Sequence, residues 1–239
     1  MLLTNDHVHP AIAAAAKAEP EAWMEALLAG YVTSADTGDE ALVIASRAAL
    51  AEYCNASPAN LDRVCQALVR NLRTRQGQGQ DRTTVPTLEI VAYLFYVGVF
   101  PRCRKVDYVK LCLLVQKAGY KTGNVRKLEA CVKVYSAVAC MAPTAGQAAS
   151  AATDANNADS EINRADAVKE ARKRLGALMH HPWPRIRSLV ADELWGVLGV
   201  CSGGAGEEKV TAEKLLGVDW ARADKTRIRR LVDEELCLT

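Results

Sequence analysis

The chain reads as all-α, a HEAT- or armadillo-like α-solenoid of antiparallel helix pairs, and three observations predict this. Alanine and leucine abound while aromatics make up only 5% of the 239 residues, a balance that favours helix over sheet. Apolar residues recur at three- and four-residue steps in segment after segment. Proline and turn signals divide these segments into pairs that recur about every forty residues, the period of helical-repeat proteins. A globular helical bundle is the competing all-α arrangement.

The bulk properties exclude several classes. Half of the residues are hydrophobic and 24% are charged, as in ordinary folded domains, and the formal net charge is +2, so no global field points to nucleic acid. No cationic start leads into an apolar leader, and no run has the length of a membrane span. The expectation is a soluble, cytoplasmic protein with neither nucleic acid nor membrane as partner.

The elements follow in order. A short alanine-rich helix is predicted from Pro10 to about Lys17. Glu19-Pro20 opens the next, with Trp23, Leu27, Leu28 and Tyr31 on one side and the turn-forming run from Ser34 to Gly38 at its end. Asp39 is placed to cap a helix over Glu40 to about Tyr53. Ser57-Pro58 is a strong start signal, Ser57 as N-cap and Pro58 in the first turn, with Asp62 near the positive helix end. That helix carries Leu61, Val64, Cys65, Leu68 and Leu72. Gln76 to Gln80 is a Gly/Gln spacer. Val85-Pro86 then opens an apolar helix ending at Gly98, hydrophobic nearly all round and so buried on two sides. Its Ile90-Val91 run could also form a strand, but the proline start and the length favour helix. Pro101 breaks the chain again. Helices follow over Val106 to Ala118 and Asn124 to Met141, around a turn at Gly119 to Gly123.

Residues 143–160 differ in composition. Alanine, asparagine and small polar residues leave too little apolar surface to offset ordering, so they read as a disordered insert. Residues 1–142 and 161–239 are then the N- and C-terminal parts of one continuous helical-repeat domain. A long helix is expected over Glu161 to Met179, a loop over Gly203 to Glu207, and closing helices around Val210 to Leu216 and Arg222 to Leu236.

The stretch His181 to Leu198 is the most informative. Pro182 and Pro184 lack a backbone donor and disfavour helix in the residue before them, so the preceding helix stops near His180. Pro184 fits the first turn of a new helix. Ile186, Leu189, Val190, Leu194, Val197 and Leu198 form its apolar stripe, and Ala191 permits close helix approach. Arg187 is expected to pair with a carboxylate of a neighbouring repeat, and Trp183 to wedge the corner. Pro182, Trp183, Pro184 and Arg187 are therefore assigned a structural role.

Nothing in the sequence assembles a catalytic centre, a metal site or a cofactor cradle. The eight cysteines include no CxxC pair and no zinc-ligand spacing, and they read as free, mostly buried thiols. His180 and His181 close a helix, where imidazoles can bind the last carbonyls. QGQGQ lacks the lysine and the strand of a phosphate loop. Neighbouring acidic pairs such as Asp192-Glu193 are solvated faces. An enzymatic reading would rest on Cys140 or Cys201 beside His181 alone. Two basic tracts remain, Lys169 to Arg174 on the long helix and Arg222 to Arg230 near the end. Their ordinary reading is a solvated face. The sharper one is an electropositive surface for an acidic partner, with Arg172, Lys173, Arg227 and Arg230 as candidate contacts.

Four segments carry a family likeness. They are YVTSADTGDEALVIASRAAL from Tyr31 to Leu50, DRTTVPTLEIVAYLFYVGVF from Asp81 to Phe100, LMHHPWPRIRSLVADELW from Leu178 to Trp195, and the tail from Leu216-Gly217-Val218-Asp219-Trp220 to Leu238. Together they resemble the C-terminal domain of tubulin folding cofactor D, a tubulin-specific chaperone, in a fungal-like form. The resemblance implies a cytoplasmic, cytoskeleton-associated chaperone module. Its partners would be β-tubulin, the other tubulin folding cofactors and an ARF-like small GTPase. It would support αβ-tubulin heterodimer assembly and stimulation of the tubulin GTPase. Tubulin's own nucleotide site does that chemistry, so no enzyme and no cofactor is expected here. Full family members are several times longer, with many N-terminal HEAT repeats. A generic HEAT scaffold for a transport or phosphatase complex is the alternative.

Overall fold

The computed structural model describes residues 20–34, 39–74, 80–141, 155–201, 213–220 and 222–235. The short helix expected after Pro10 and the loop at Gly203 to Glu207 lie outside them. The chain divides into two compact units, Met1–Val106 and Asp107–Thr239.

The first unit is built from α1 (Pro20–Ser34), α2 (Glu40–Ala56), α3 (Pro58–Thr74), α4 (Asp81–Tyr96) and a 3-10 turn at Phe100–Arg102. α2 pairs with α3, and α1 packs on both α3 and α4. Ser57 caps α3 as its sequence requires, Oγ accepting the Asn60 N–H at 3.1 Å. Asp39 behaves differently. It occupies the N-cap of α2 without a side-chain cap bond, and its carbonyl alone takes the Val43 N–H at 3.0 Å.

α4 is the centre of this unit. It buries Thr83 to Leu88, Ile90, Val91, Leu94 and Phe95, so the expected two-sided burial holds. Its start does not lie at Val85-Pro86. The helix begins at Asp81 and carries Pro86 inside. The Gln80 carbonyl accepts Thr83 and Thr84 N–H groups at 2.9 Å, and Asp81 complements the positive helix end. That nucleus forms five residues ahead of the proline. Pro86 then forfeits one ladder bond, while Thr87 Oγ1 donates to the Thr83 carbonyl in the same turn at 2.6 Å. The helix ends as expected at Gly98, whose φ of +71° suits a residue without Cβ. Gly98 N–H bonds the Phe95 carbonyl and Val99 N–H the Leu94 carbonyl, both at 2.9 Å. This is a Schellman cap, with Val99 and Leu94 both buried as its apolar contact.

The second unit comprises α5 (Tyr108–Gly119), α6 (Val125–Ala139), α7 (Ala155–Met179), α8 (Pro184–Gly196), a π-helical stretch Val197–Cys201, α9 (Lys225–Arg229) and a second π-helical stretch Arg230–Glu235. α5, α6 and α7 pack on one another, and α8 packs on α6 and α7. Asp107 and Asn124 cap α5 and α6, accepting N–H groups of Lys110 at 3.0 Å and Lys127 at 3.2 Å. Asn163 of α7 links to the first cap: its amide donates to Asp107 and its oxygen accepts the Tyr108 N–H, both at 3.0 Å. α7 begins at Ala155, six residues ahead of the expected Glu161, so residues 155–160 of the expected insert are helical. Residues 143–154 lie outside the described ones. Gly119 ends α5 where a Cβ would meet Cys131 Sγ of α6 at 3.2 Å, a close approach that favours glycine.

Among the described residues there is no strand, which answers the Ile90-Val91 alternative. The protein is all-α with packed helix pairs, as a HEAT- or armadillo-like α-solenoid is. No described helix is long and apolar enough to cross a membrane.

Candidate partner-binding surface

The structural motif of the second unit converges on Arg187. Beyond Met179 the chain leaves the helix: His180 and His181 N–H groups close back on Ala177 and Leu178 carbonyls at 3.2 and 3.0 Å. The two prolines then prevent any helical ladder until α8 starts, with Pro184 in its first turn and Trp183 at the N-cap. This leaves the carbonyls of His181 and Pro182 without helical donors. Arg187, one turn into α8, reaches back and donates Nη1 to both at 3.0 Å. Its Nε donates to the Trp220 carbonyl at 3.0 Å. Trp220 is itself fixed by its indole N–H on the Leu215 carbonyl at 2.8 Å. The guanidinium is thus a buried hub (7% exposed) joining the Pro-Trp-Pro corner to the tail.

The described partners of Arg187 include three backbone carbonyls. The residue that sequence reasoning missed is Trp220. Its place in the tail segment singled out by the family likeness was the only available signal. Trp183 is half-buried and meets the His181 ring edge-on at 5.0 Å. The imidazoles do not serve the last carbonyls of α7. His181 Nδ1 accepts the Trp183 N–H at 3.2 Å, and His180 Nε2 faces Asp233 at 3.5 Å. Burial and the Arg187 charge hold the His181 pKa below its ordinary value.

The four candidate contacts lie on three elements, α7, α9 and the second π-helical stretch. Arg172 is half-buried on α7 and Lys173 is exposed beside it, while Arg227 and Arg230 are exposed at the end of the chain. Their tracts are partly neutralised from within. Lys169 pairs with Asp166, Arg174 with Glu170, Arg222 with Asp219, Arg229 with Asp233, and Arg230 with Glu234 at 4.0 Å. Such exposed pairs contribute little to stability. Lys173 and Arg227 form no ion pair among the described residues, and Asp224 caps the Arg227 backbone N–H at 2.7 Å. The His180–Asp233 contact brings the end of α7 beside the second π-helical stretch. It lies two turns beyond Lys173, roughly 10 Å along the axis. The geometry places the two tracts near one corner of this unit.

The thiols divide. Cys54, Cys65, Cys103, Cys112 and Cys131 are free and buried, as small apolar fillers are. Cys140 departs from the expectation of free thiols: it is disulfide-bonded. It caps α6 in the turn after Ala139, off the packed stripe that encloses Cys131. No group of three or more metal-ligating side chains has the geometry to hold a metal ion among the described residues.

The family described as Tubulin folding cofactor D C terminal matches residues 6–127, just over half of the chain. The chain belongs to the tubulin folding cofactor D family. No curated protein and no solved structure matches it. The matched region holds two of the four resembling segments, Tyr31 to Leu50 and Asp81 to Phe100. The corner at Leu178 to Trp195 and the tail lie beyond it. A tubulin folding cofactor D role therefore rests on the first unit and the start of the second, while the Arg187 hub and the cationic tracts stand on their geometry.

Proposed function

We propose that the chain is a non-catalytic binding module of cytoplasmic, post-chaperonin tubulin folding. It contacts β-tubulin and the other folding cofactors, in an assembly that includes an ARF-like small GTPase. There it supports αβ-tubulin heterodimer formation and stimulation of tubulin's GTPase. The observation that carries this reading is the family match over residues 6–127. Packed helix pairs support it, because they offer extended side-chain surfaces. On this reading Arg172, Lys173, Arg227 and Arg230 supply long-range attraction for an acidic partner surface, which raises the association rate and with it the affinity.

The test is direct binding of β-tubulin to the purified chain, alone and with the other folding cofactors present. The expected result is saturable binding that weakens as salt rises. Absence of β-tubulin binding under both conditions would sink the proposal.

A further inference from the structure

The first unit holds a thiol cluster that a binding role does not use. Cys54 on α2, Cys65 on α3 and Cys103, just after the 3-10 turn, are each at most 1% exposed. Cys103 Sγ donates to Asp62 Oδ1 at 3.3 Å, and Lys105 Nζ holds the other Asp62 oxygen at 3.0 Å. Asp62 and Cys65 are three residues apart on α3 and so lie on one face of it, which seats the Cys103 sulfur over the turn that carries Cys65, with Cys54 buried on the neighbouring α2. An isolated buried thiol is an inert filler. Two brought together, from elements 38 positions apart in sequence, are already placed for a cross-link.

The local backbone favours the same outcome. Cys65 is fixed in the middle of α3, whereas Cys103 lies in the non-helical stretch between the 3-10 turn and α5. A shift of that stretch to bring the sulfurs to bonding distance, about 2.05 Å, would break no helix, and its local opening would admit a small oxidant to the buried sulfur.

We propose that Cys65 and Cys103 form a redox-modification site, which a hydroperoxide converts to a reversible disulfide. The Cys103 sulfur attacks the peroxide: an S–O bond forms, the O–O bond breaks, and water or an alcohol leaves with the thiol proton. The Cys65 sulfur then attacks the Cys103 sulfenic acid. The S–S bond forms, the S–O bond breaks, and the departing hydroxide takes the Cys65 proton as water. The two thiols lose two electrons and the peroxide gains them. Cys103 is the attacking partner. The hydrogen bond from Cys65, with the Lys105 N–H, holds its pKa below the usual thiol value against burial and Asp62. The same hydrogen bond and burial push Cys65 up, so Cys65 is the resolving thiol.

The test treats the folded full chain with hydrogen peroxide, blocks remaining thiols by alkylation in denaturant, and maps unreduced peptides by mass spectrometry. A Cys65–Cys103 peptide link is expected. It should disappear on dithiothreitol, persist in Cys54→Ser, and accompany a rise in unfolding temperature. Full alkylation of both residues after peroxide would overturn the proposal. So would a link that uses Cys54 instead, or one that forms only after the chain is unfolded. The wild-type mapping needs no variant to fold.

Discussion

Two proline-bearing segments of this protein solve the same problem by opposite means. Asp81 to Phe100 carries Pro86 inside a helix that is buried nearly all round, and apolar packing holds it despite the lost ladder bond. His181 to Trp195 carries its prolines at a corner where the backbone leaves carbonyls without donors, and one buried arginine satisfies them. The first segment distributes its stabilisation over many side chains, so no single residue is indispensable. The second concentrates it on Arg187.

That contrast orders the expected effects of mutation. Arg187→Ala should be the most damaging. It strands three carbonyls at roughly 1–3 kcal/mol each, and partial rehydration near the surface should leave a loss of about 4 kcal/mol in urea unfolding of the second unit. Leu94→Ala, in the first segment, should cost about 3 kcal/mol through the cavity it leaves. If Leu94→Ala proved worse than Arg187→Ala, the contrast between distributed and concentrated stabilisation would be wrong. Gly98→Ala should cost only about 1 kcal/mol. A Cβ there meets nothing within 4 Å, so the penalty is the positive φ alone.

The smallest effect is one of pH. His181 must be neutral at Nδ1 to accept the Trp183 N–H, and its folded pKa lies below the ordinary 6.5. The unfolded chain therefore binds more protons in the window just below 6.5. The contribution is fully present above that pH and is lost as pH falls through the folded value. His181→Ala should flatten this part of the stability profile. Identical slopes for variant and wild type below pH 6.5 would show that the imidazole acceptor does not matter.

Local signals were legible in the sequence and distant partners were not. Ser57-Pro58 and Gly98 act on their own backbone within a turn, and both boundaries fell where the residues put them. Pro86 misled because a proline fits a first turn equally well, and the Gln80-Asp81 nucleus that wins is a weaker local cue. The start of α7 at Ala155 was hidden by composition: alanine and asparagine look like linker, yet alanine is the strongest helix former. Arg187 stands out in the sequence, but three of its partners are backbone carbonyls, and a carbonyl has no letter in a sequence. Trp220 and Asp233 escaped for the same reason of distance, since only the fold brings the tail beside His180 and Arg187. The cationic candidates were legible as residues, and so was the Arg230–Glu234 pair at i,i+4 spacing.

The central claim is that this member of the tubulin folding cofactor D family binds its tubulin partner with help from the cationic corner of its second unit. The most direct measurement compares β-tubulin affinity of the full chain with that of a Lys173→Glu, Arg227→Glu, Arg230→Glu triple variant, at low and physiological salt. The account predicts at least a tenfold loss of affinity at low salt, a weaker salt dependence, and an unchanged unfolding midpoint. Equal affinity of variant and wild type at both salt concentrations, with both folded, would contradict it.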